Sequence, residues 1–171
     1  MKILFQLNGE SREAEGSAST SLGELLRSEM GMRSVHLGCE HGVCGACTVL
    51  VDGRSARSCL MVAPQANGRS VTTAEGLPAY DPMLWDVIEN AFVGNGAFQC
   101  GFCTSGMVMC LAELLWRSRT VTRADLTEQL SGQVCRCTGY GALLEAFSEV
   151  LRYAGLLRDE GSAPEPIGES W

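Results

Sequence analysis

Gly38-Cys39-Glu40-His41-Gly42-Val43-Cys44-Gly45-Ala46-Cys47-Thr48 is the stretch whose reading decides the fold, and Cys59 completes it. Its C-x4-C-x2-C spacing, followed by a later cysteine, is the arrangement in which four thiolates hold a [2Fe–2S] cluster. Two bridged irons need four sulfurs converging around one small rhomb. A tight loop supplies three of them, and Cys59, arriving after a hairpin, closes the set. Gly42 and Gly45 suit such a loop, because glycine reaches positive φ without a Cβ clash. A backbone turned in this way aims N–H groups at the sulfurs, which stabilises their charge and tunes the potential.

A second set lies downstream, in Cys100-Gly101-Phe102-Cys103 and Cys135-Arg136-Cys137. The two sets use eight of the nine cysteines and leave Cys110. A disulfide framework or two structural zinc sites would draw on the same residues. The single residue between Cys135 and Cys137 departs from the usual zinc spacing. The N-terminus, MKILFQLNGE, lacks the apolar stretch and small-residue cleavage site of a secretory signal. The expected compartment is therefore the cytoplasm, whose reducing conditions favour metal over disulfides.

With 171 residues, 46% of them hydrophobic, the chain suffices for one large domain or two small ones with a core. Its formal net charge is −7, without a Lys/Arg run, which argues against a nucleic-acid partner. The apolar runs are too short to span a bilayer.

Outward from the cysteine loop, the periodicity changes once. Ile3, Phe5 and Leu7 alternate and lead into Asn8-Gly9, a hairpin signal, with Glu10–Glu15 as the returning strand. Ser21-Leu22-Gly23-Glu24 is a capping box that opens a short helix ending at Gly31. Thr48–Val51, Asp52-Gly53 and Arg54–Ser58 form a second hairpin, and Ser70–Thr73 a last strand. Strands with one helix across them make a small α+β domain over residues 1–76. Ala74–Pro82 reads as a linker. Beyond it, helical stripes follow: Leu84, Val87, Ile88, Ala91 and Phe92 after Asp81-Pro82; Met107, Cys110, Leu111, Leu114 and Leu115 after Cys103; a helix opened by Thr122-x-x-Asp125; and Leu143, Leu144, Phe147, Val150 and Leu151. These predict a four-helix bundle over residues 77–157, with the second cysteine set in the loops before its second and fourth helices. Residues 158–171 read as a mobile tail.

Cys110 lies on an apolar stripe and reads as a buried structural thiol. With all four cysteines of the first set present, His36 and His41 read as loop or interface residues rather than as Rieske ligands. Trp85 and Trp116 could be core or partner-facing. Arg136 could pair with cluster charge or a partner's carboxylate, or be solvated. GxGxxG and P-loop patterns are absent, as are an acid–base pair and a nucleophile. Two one-electron centres without substrate chemistry imply an electron conduit.

The runs GCEHGVCGACTV (38–49), Ser58-Cys59-Leu60, QCGFCTSG (99–106) and CRCTGY (135–140) resemble the small iron–sulfur subunit of the molybdenum hydroxylases, the xanthine dehydrogenase, aldehyde oxidoreductase and aerobic carbon monoxide dehydrogenase family. The resemblance runs from about Lys2 to about Leu156. One departure is Ser105, where many relatives carry proline. The resemblance implies a β-grasp, plant-type ferredoxin domain followed by the helical domain. It implies Cys39, Cys44, Cys47 and Cys59 as ligands of one [2Fe–2S] cluster, and Cys100, Cys103, Cys135 and Cys137 as ligands of another. It implies a large partner subunit with molybdopterin, as its cytosine dinucleotide, and a medium subunit with FAD, in a heterotrimer or its dimer. Electrons would pass from molybdenum through the helical-domain cluster, then the β-grasp cluster, to FAD. It further implies that Gln99 and Cys137 contact the pterin, against the plainer reading that Gln99 satisfies loop backbone. A free two-cluster carrier and a zinc-stabilised interaction module are the alternatives.

Overall fold

A computed structural model describes residues 1–118 and 120–158. Strands β1 (Lys2–Leu7) and β2 (Glu10–Glu15) pair antiparallel around Asn8 and Gly9, both at positive φ (51° and 84°). That is the primed turn whose twist matches its strands. β3 (Thr48–Val51) and β4 (Arg54–Arg57) repeat the device around Asp52-Gly53, and β5 (Ser70–Thr72) completes the sheet. The strand order is β2-β1-β5-β3-β4, with β1 and β5 parallel and the other pairs antiparallel.

Ser21 caps the first helix by accepting from the Glu24 N–H at 3.1 Å. The sequence predicts one short regular helix here. The structure gives a single α turn, α1 (Leu22–Glu24), continued as a π-helical stretch, Leu25–Glu29. Leu22, Leu25 and Leu26 are all fully buried against the sheet with Ile3, Phe5 and Leu7.

The expected linker is ordered into a 3₁₀ turn, Ala74–Gly76, and a helical turn, α2 (Leu77–Tyr80). Asp81 then caps α3 (Pro82–Gly94), with proline at its first position, where a missing N–H costs nothing. α4 (Thr104–Trp116), α5 (Arg123–Ser131) and α6 (Gly141–Tyr153) follow, α5 opened by the Thr122/Asp125 capping box. The fold is α+β.

Two cores result, and β3 divides them. Val49 and Val51 point into the sheet core, while Leu50 joins the helical core with Met107, Leu111, Leu143 and Phe147. A strand buried on both faces needs apolar residues at successive positions, and Thr-Val-Leu-Val supplies them. For the same reason α4 departs from the one-sided stripe in its sequence: every residue from Gly106 to Leu115 is buried. α4 packs against β3 and β4 and shares the helical core with residues of α3, α5 and α6. Trp85 is half-buried, and Trp116 is partly exposed with its edge against Tyr80. Of the residues read as a tail, only Arg158 is described, its N–H donating to the Val121 carbonyl at 2.9 Å; residues 159–171 lie outside the described residues.

Candidate metal centres

The loop between Leu37 and Cys47 turns on three residues at positive φ, Glu40, Gly42 and Gly45. This curls the backbone around Cys39, whose Sγ accepts from the N–H groups of Cys44 (3.3 Å) and His41 (3.4 Å). These two donors bring the Cys39 thiol down to about 6. Such N–H groups favour the thiolate, the form that binds metal. Cys59 reaches the same place from beyond β4. Burial, a hydrogen bond with Cys47 and the charge of Cys39 push its thiol up to about 11. Cys39, Cys44, Cys47 and Cys59 are thus brought together.

The second set also converges. Cys100 and Cys137 approach to 3.7 Å between sulfurs, and both are exposed. Cys103 and Cys135 lie deeper as neighbours. Burial and Cys135 push the Cys103 thiol up to about 12. Burial works to raise Cys135 as well, but the Thr138 hydroxyl (3.1 Å) and the N–H groups of Thr138 and Cys137 bring it below its ordinary value. Tyr140, in the left-handed region at φ 67°, accepts from the Cys135 N–H and donates to the Gln133 carbonyl, both at 2.9 Å. Thr138 and Tyr140 stand in the CRCTGY run, but the spacing of the cysteines alone gives them no role.

All nine cysteines are free thiols. Among the described residues, no group of three or more His, Cys, Asp or Glu is placed to share one metal ion. Thiols around a two-iron rhomb stand further apart than those around one ion, because the irons and sulfides fill the centre. The hydroxyl oxygen of Thr104, next to Cys103, is buried with no partner among the described residues. Four thiols apiece, with N–H donors on Cys39 and a hydroxyl donor on Cys135, are the donor chemistry that an iron–sulfur group takes. The residues present therefore fit a cluster at each set.

The two sets share one frame. The Val134 N–H donates to the Cys44 carbonyl at 2.8 Å, joining the segment that leads into Cys135 to a residue of the first loop. Arg57 donates to the carbonyls of Gly42 and Gly132 and to the Thr48 hydroxyl. Gln133, 2% exposed, turns its amide N–H toward the Gly45 carbonyl (3.0 Å) and its oxygen toward Arg57 (2.9 Å). That orientation is set by the neighbours, since the reverse would face oxygen with oxygen. Arg57 and Gln133 are missed by sequence reasoning, because neither belongs to a spaced motif. Gln99 donates to the Cys137 carbonyl at 3.1 Å and is exposed. Cys110 is buried, and burial pushes its thiol up to about 11. His41 and Arg136 are exposed.

Two family models match in tandem. One, described as a 2Fe-2S iron-sulfur cluster binding domain, covers residues 5–73. The other, described as a [2Fe-2S] binding domain, covers residues 73–148. The chain is 43% identical to the nicotine 6-hydroxylase small subunit of Paenarthrobacter nicotinovorans over 148 residues, 85% of this chain and 87% of that one. It belongs to the small iron–sulfur subunits of the molybdenum hydroxylases. As a member it is part of an oxidoreductase. It is 42% identical to the caffeine dehydrogenase subunit gamma of Pseudomonas sp. (strain CBB1), over 86% of this chain and 89% of that one. Among solved structures, quinoline 2-oxidoreductase from Pseudomonas putida 86 matches with a TM-score of 0.79 at 35% identity, over 91% of this chain and 96% of that one. The ferredoxin-like character of the first half and the presence of iron–sulfur clusters follow from membership. No helix among the described residues is long and apolar enough to cross a membrane.

Proposed function

We propose that this chain is the electron conduit of a cytoplasmic molybdenum hydroxylase, set between a large molybdopterin-binding subunit and a medium FAD-binding subunit. Cys39, Cys44, Cys47 and Cys59 would hold one [2Fe–2S] cluster in a β-grasp domain of residues 1–76. Cys100, Cys103, Cys135 and Cys137 would hold the other in a four-helix bundle of residues 77–157. A [2Fe–2S] cluster supplies one-electron transfer, which links two-electron oxidation at molybdenum, in its molybdopterin cytosine dinucleotide, to FAD.

The chain's own residues place and tune these centres. N–H groups of His41 and Cys44, and the hydroxyl of Thr138, stabilise charge on Cys39 and Cys135. Arg57, Gln133 and Val134 fix one set against the other. The observation that carries the reading is this shared frame: two four-thiol sets in one hydrogen-bonded unit, joined directly at Cys44 and Val134. Val43 and Leu60 beside the first set, and Phe98 and Val134 beside the second, are exposed. Apolar side chains at the mouth of each set suit docking partners better than a freely diffusing carrier. Gln99 and Cys137, exposed and bonded to each other, would meet the pterin. An amide that has given one N–H to the Cys137 carbonyl still has a second donor and an acceptor for that ring.

The test is purification of the native complex with metal and flavin analysis. The expected result is co-purifying partner subunits, two distinguishable paramagnetic signals after dithionite reduction, and about four irons in this chain. Zinc, or half that iron, would refute the two-cluster assignment. The relatives named for nicotine, caffeine and quinoline put nitrogen heteroaromatics first in the substrate screen.

A further inference from the structure

Away from the Cys44–Val134 bond, the sheet half and the helical half meet at a second place. Ser105, the second residue of α4, donates from Oγ to the Ser34 carbonyl at 2.6 Å. The His36 ring stacks on Phe102, with centroids 4.6 Å apart and planes 19° from parallel. His36 Nδ1 lies 2.9 Å from the Phe102 carbonyl. A carbonyl only accepts, so Nδ1 carries the proton. Ser34 is held on its other side by Glu75 of the 3₁₀ turn, which accepts from its N–H (2.7 Å) and its hydroxyl (2.5 Å). The segment leading to Cys39, the connection between the halves, and the Cys100–Cys103 turn therefore meet at Ser34 and His36.

Phe102 sits between Cys100 and Cys103 in the chain, and its ring also bounds the first loop: a Cβ on Gly38 would come within 3.1 Å of it. His36 precedes Cys39 by three residues. A shift at this joint moves Cys39 and Cys103 relative to each other. The start of α4 does not itself need serine here. Proline suits the first turn of a helix, where N–H groups have no intrahelical partner. What serine adds is the bond to Ser34.

We propose that His36 and Ser105 are positioning residues that latch the Cys100–Cys103 turn onto the segment leading into Cys39, and so hold the two thiol sets at one separation. The proposal rests on reading the chain as a two-cluster conduit. Neither residue touches a cluster ligand through a side-chain bond. Their effect is on distance and mutual orientation.

The test uses the native complex carrying His36→Ala, Ser105→Pro, the two together, and Ser105→Thr. Each complex is analysed for iron, reduced with dithionite and examined by electron paramagnetic resonance. Two reduced clusters split and relax one another's signals through a dipolar interaction that falls steeply with separation. The double variant, with iron equal to that of the unaltered complex, should lose or shift this splitting, and Ser105→Thr, which keeps the hydroxyl, should retain it. Unchanged splitting in an iron-replete double variant overturns the latch and leaves the conduit standing. If the double variant does not assemble, the same comparison on Ser105→Pro decides, because that change leaves the helix start intact. An unaltered complex without two iron–sulfur signals would overturn the conduit reading, and the latch with it.

Discussion

The N–H of Val134 donates to the carbonyl oxygen of Cys44 at 2.8 Å. Cys44 is a proposed ligand of one cluster, and Val134 precedes Cys135, a proposed ligand of the other. The bond makes a continuous path of covalent links with one hydrogen bond between the two sets. Val134→Pro removes the donor, whereas Val134→Ala keeps it. Transfer between the two clusters should slow in the proline variant and stay near normal in the alanine variant. Rapid mixing of each assembled complex with substrate, following the bleaching of the two clusters separately, measures this. The stability change from losing one such bond is about 1 kcal/mol, so assembly should survive. Equal transfer rates in the two variants would show that this bond is not the link.

Close packing of the same frame depends on two glycines facing each other. A Cβ on Gly106 in the first turn of α4 would run into the Gly45 carbonyl oxygen, which is backbone and cannot swing aside. Gly45 itself sits at φ 80° with its α-carbon against Gln133. Gly106→Ala should therefore push α4 away from the first cysteine loop and destabilise the chain by about 1–3 kcal/mol, the usual cost of overpacking. Thermal unfolding of the complex, with iron content before and after, checks this. The contrast is Gly94→Ala, where an added Cβ meets nothing within 4 Å. Comparable losses at both positions would mean that contact with the Gly45 carbonyl does not set the cost, since helix propensity by itself favours alanine over glycine.

The cysteine spacing made both thiol sets legible in the sequence, and turn chemistry at Asn8-Gly9, Asp52-Gly53, Asp81-Pro82 and Thr122/Asp125 placed most elements. These signals are local: a few adjacent residues fix the backbone. Arg57, Gln133 and Val134 were not legible, because their roles come from contacts between segments far apart in the chain. Gln133 lies 88 residues from Gly45, and nothing near either predicts that the two meet. The burial of α4 on all sides was missed for the same reason. Its sequence stripe shows one apolar face, and only the arrival of β3 covers the other. The order of residues 74–80 was hidden because Gly76 and Pro78 read as breakers, while Glu75 is tied down by Ser34, 41 residues earlier.

Glu75 gives a pH prediction. Desolvation works against its ionisation, but the Ser34 hydroxyl, the Ser34 N–H and the Thr73 hydroxyl outweigh it and hold the carboxyl below its ordinary 4.5. The residue is exposed while its carboxylate is tucked against these donors. A carboxyl held low in the folded state contributes stability above pH 4.5 that is lost as pH falls through the folded value. Unfolding midpoints should therefore drop on acidification below about 4.5 more steeply in the unaltered protein than in Glu75→Gln. Parallel pH profiles for the two would remove Glu75 from the account.

The orphaned hydroxyl of Thr104 gives a prediction about potential. Thr104 follows Cys103 in the chain, and its hydroxyl is buried without a partner among the described residues. A donor aimed at sulfur favours the reduced, more negative state of a cluster, so removing it makes reduction harder. Thr104→Val keeps the shape and loses the hydroxyl. It should lower the potential of the cluster held by Cys100, Cys103, Cys135 and Cys137 by on the order of 50 mV, roughly a tenfold change in a one-electron equilibrium. Thr104→Ser, which restores a donor, should recover most of it. A redox titration read through the two paramagnetic signals separates the clusters, and only one signal should move. If both move together, the change has spread through the shared frame. If neither moves, the hydroxyl does not reach a sulfur and its burial is a matter of packing alone.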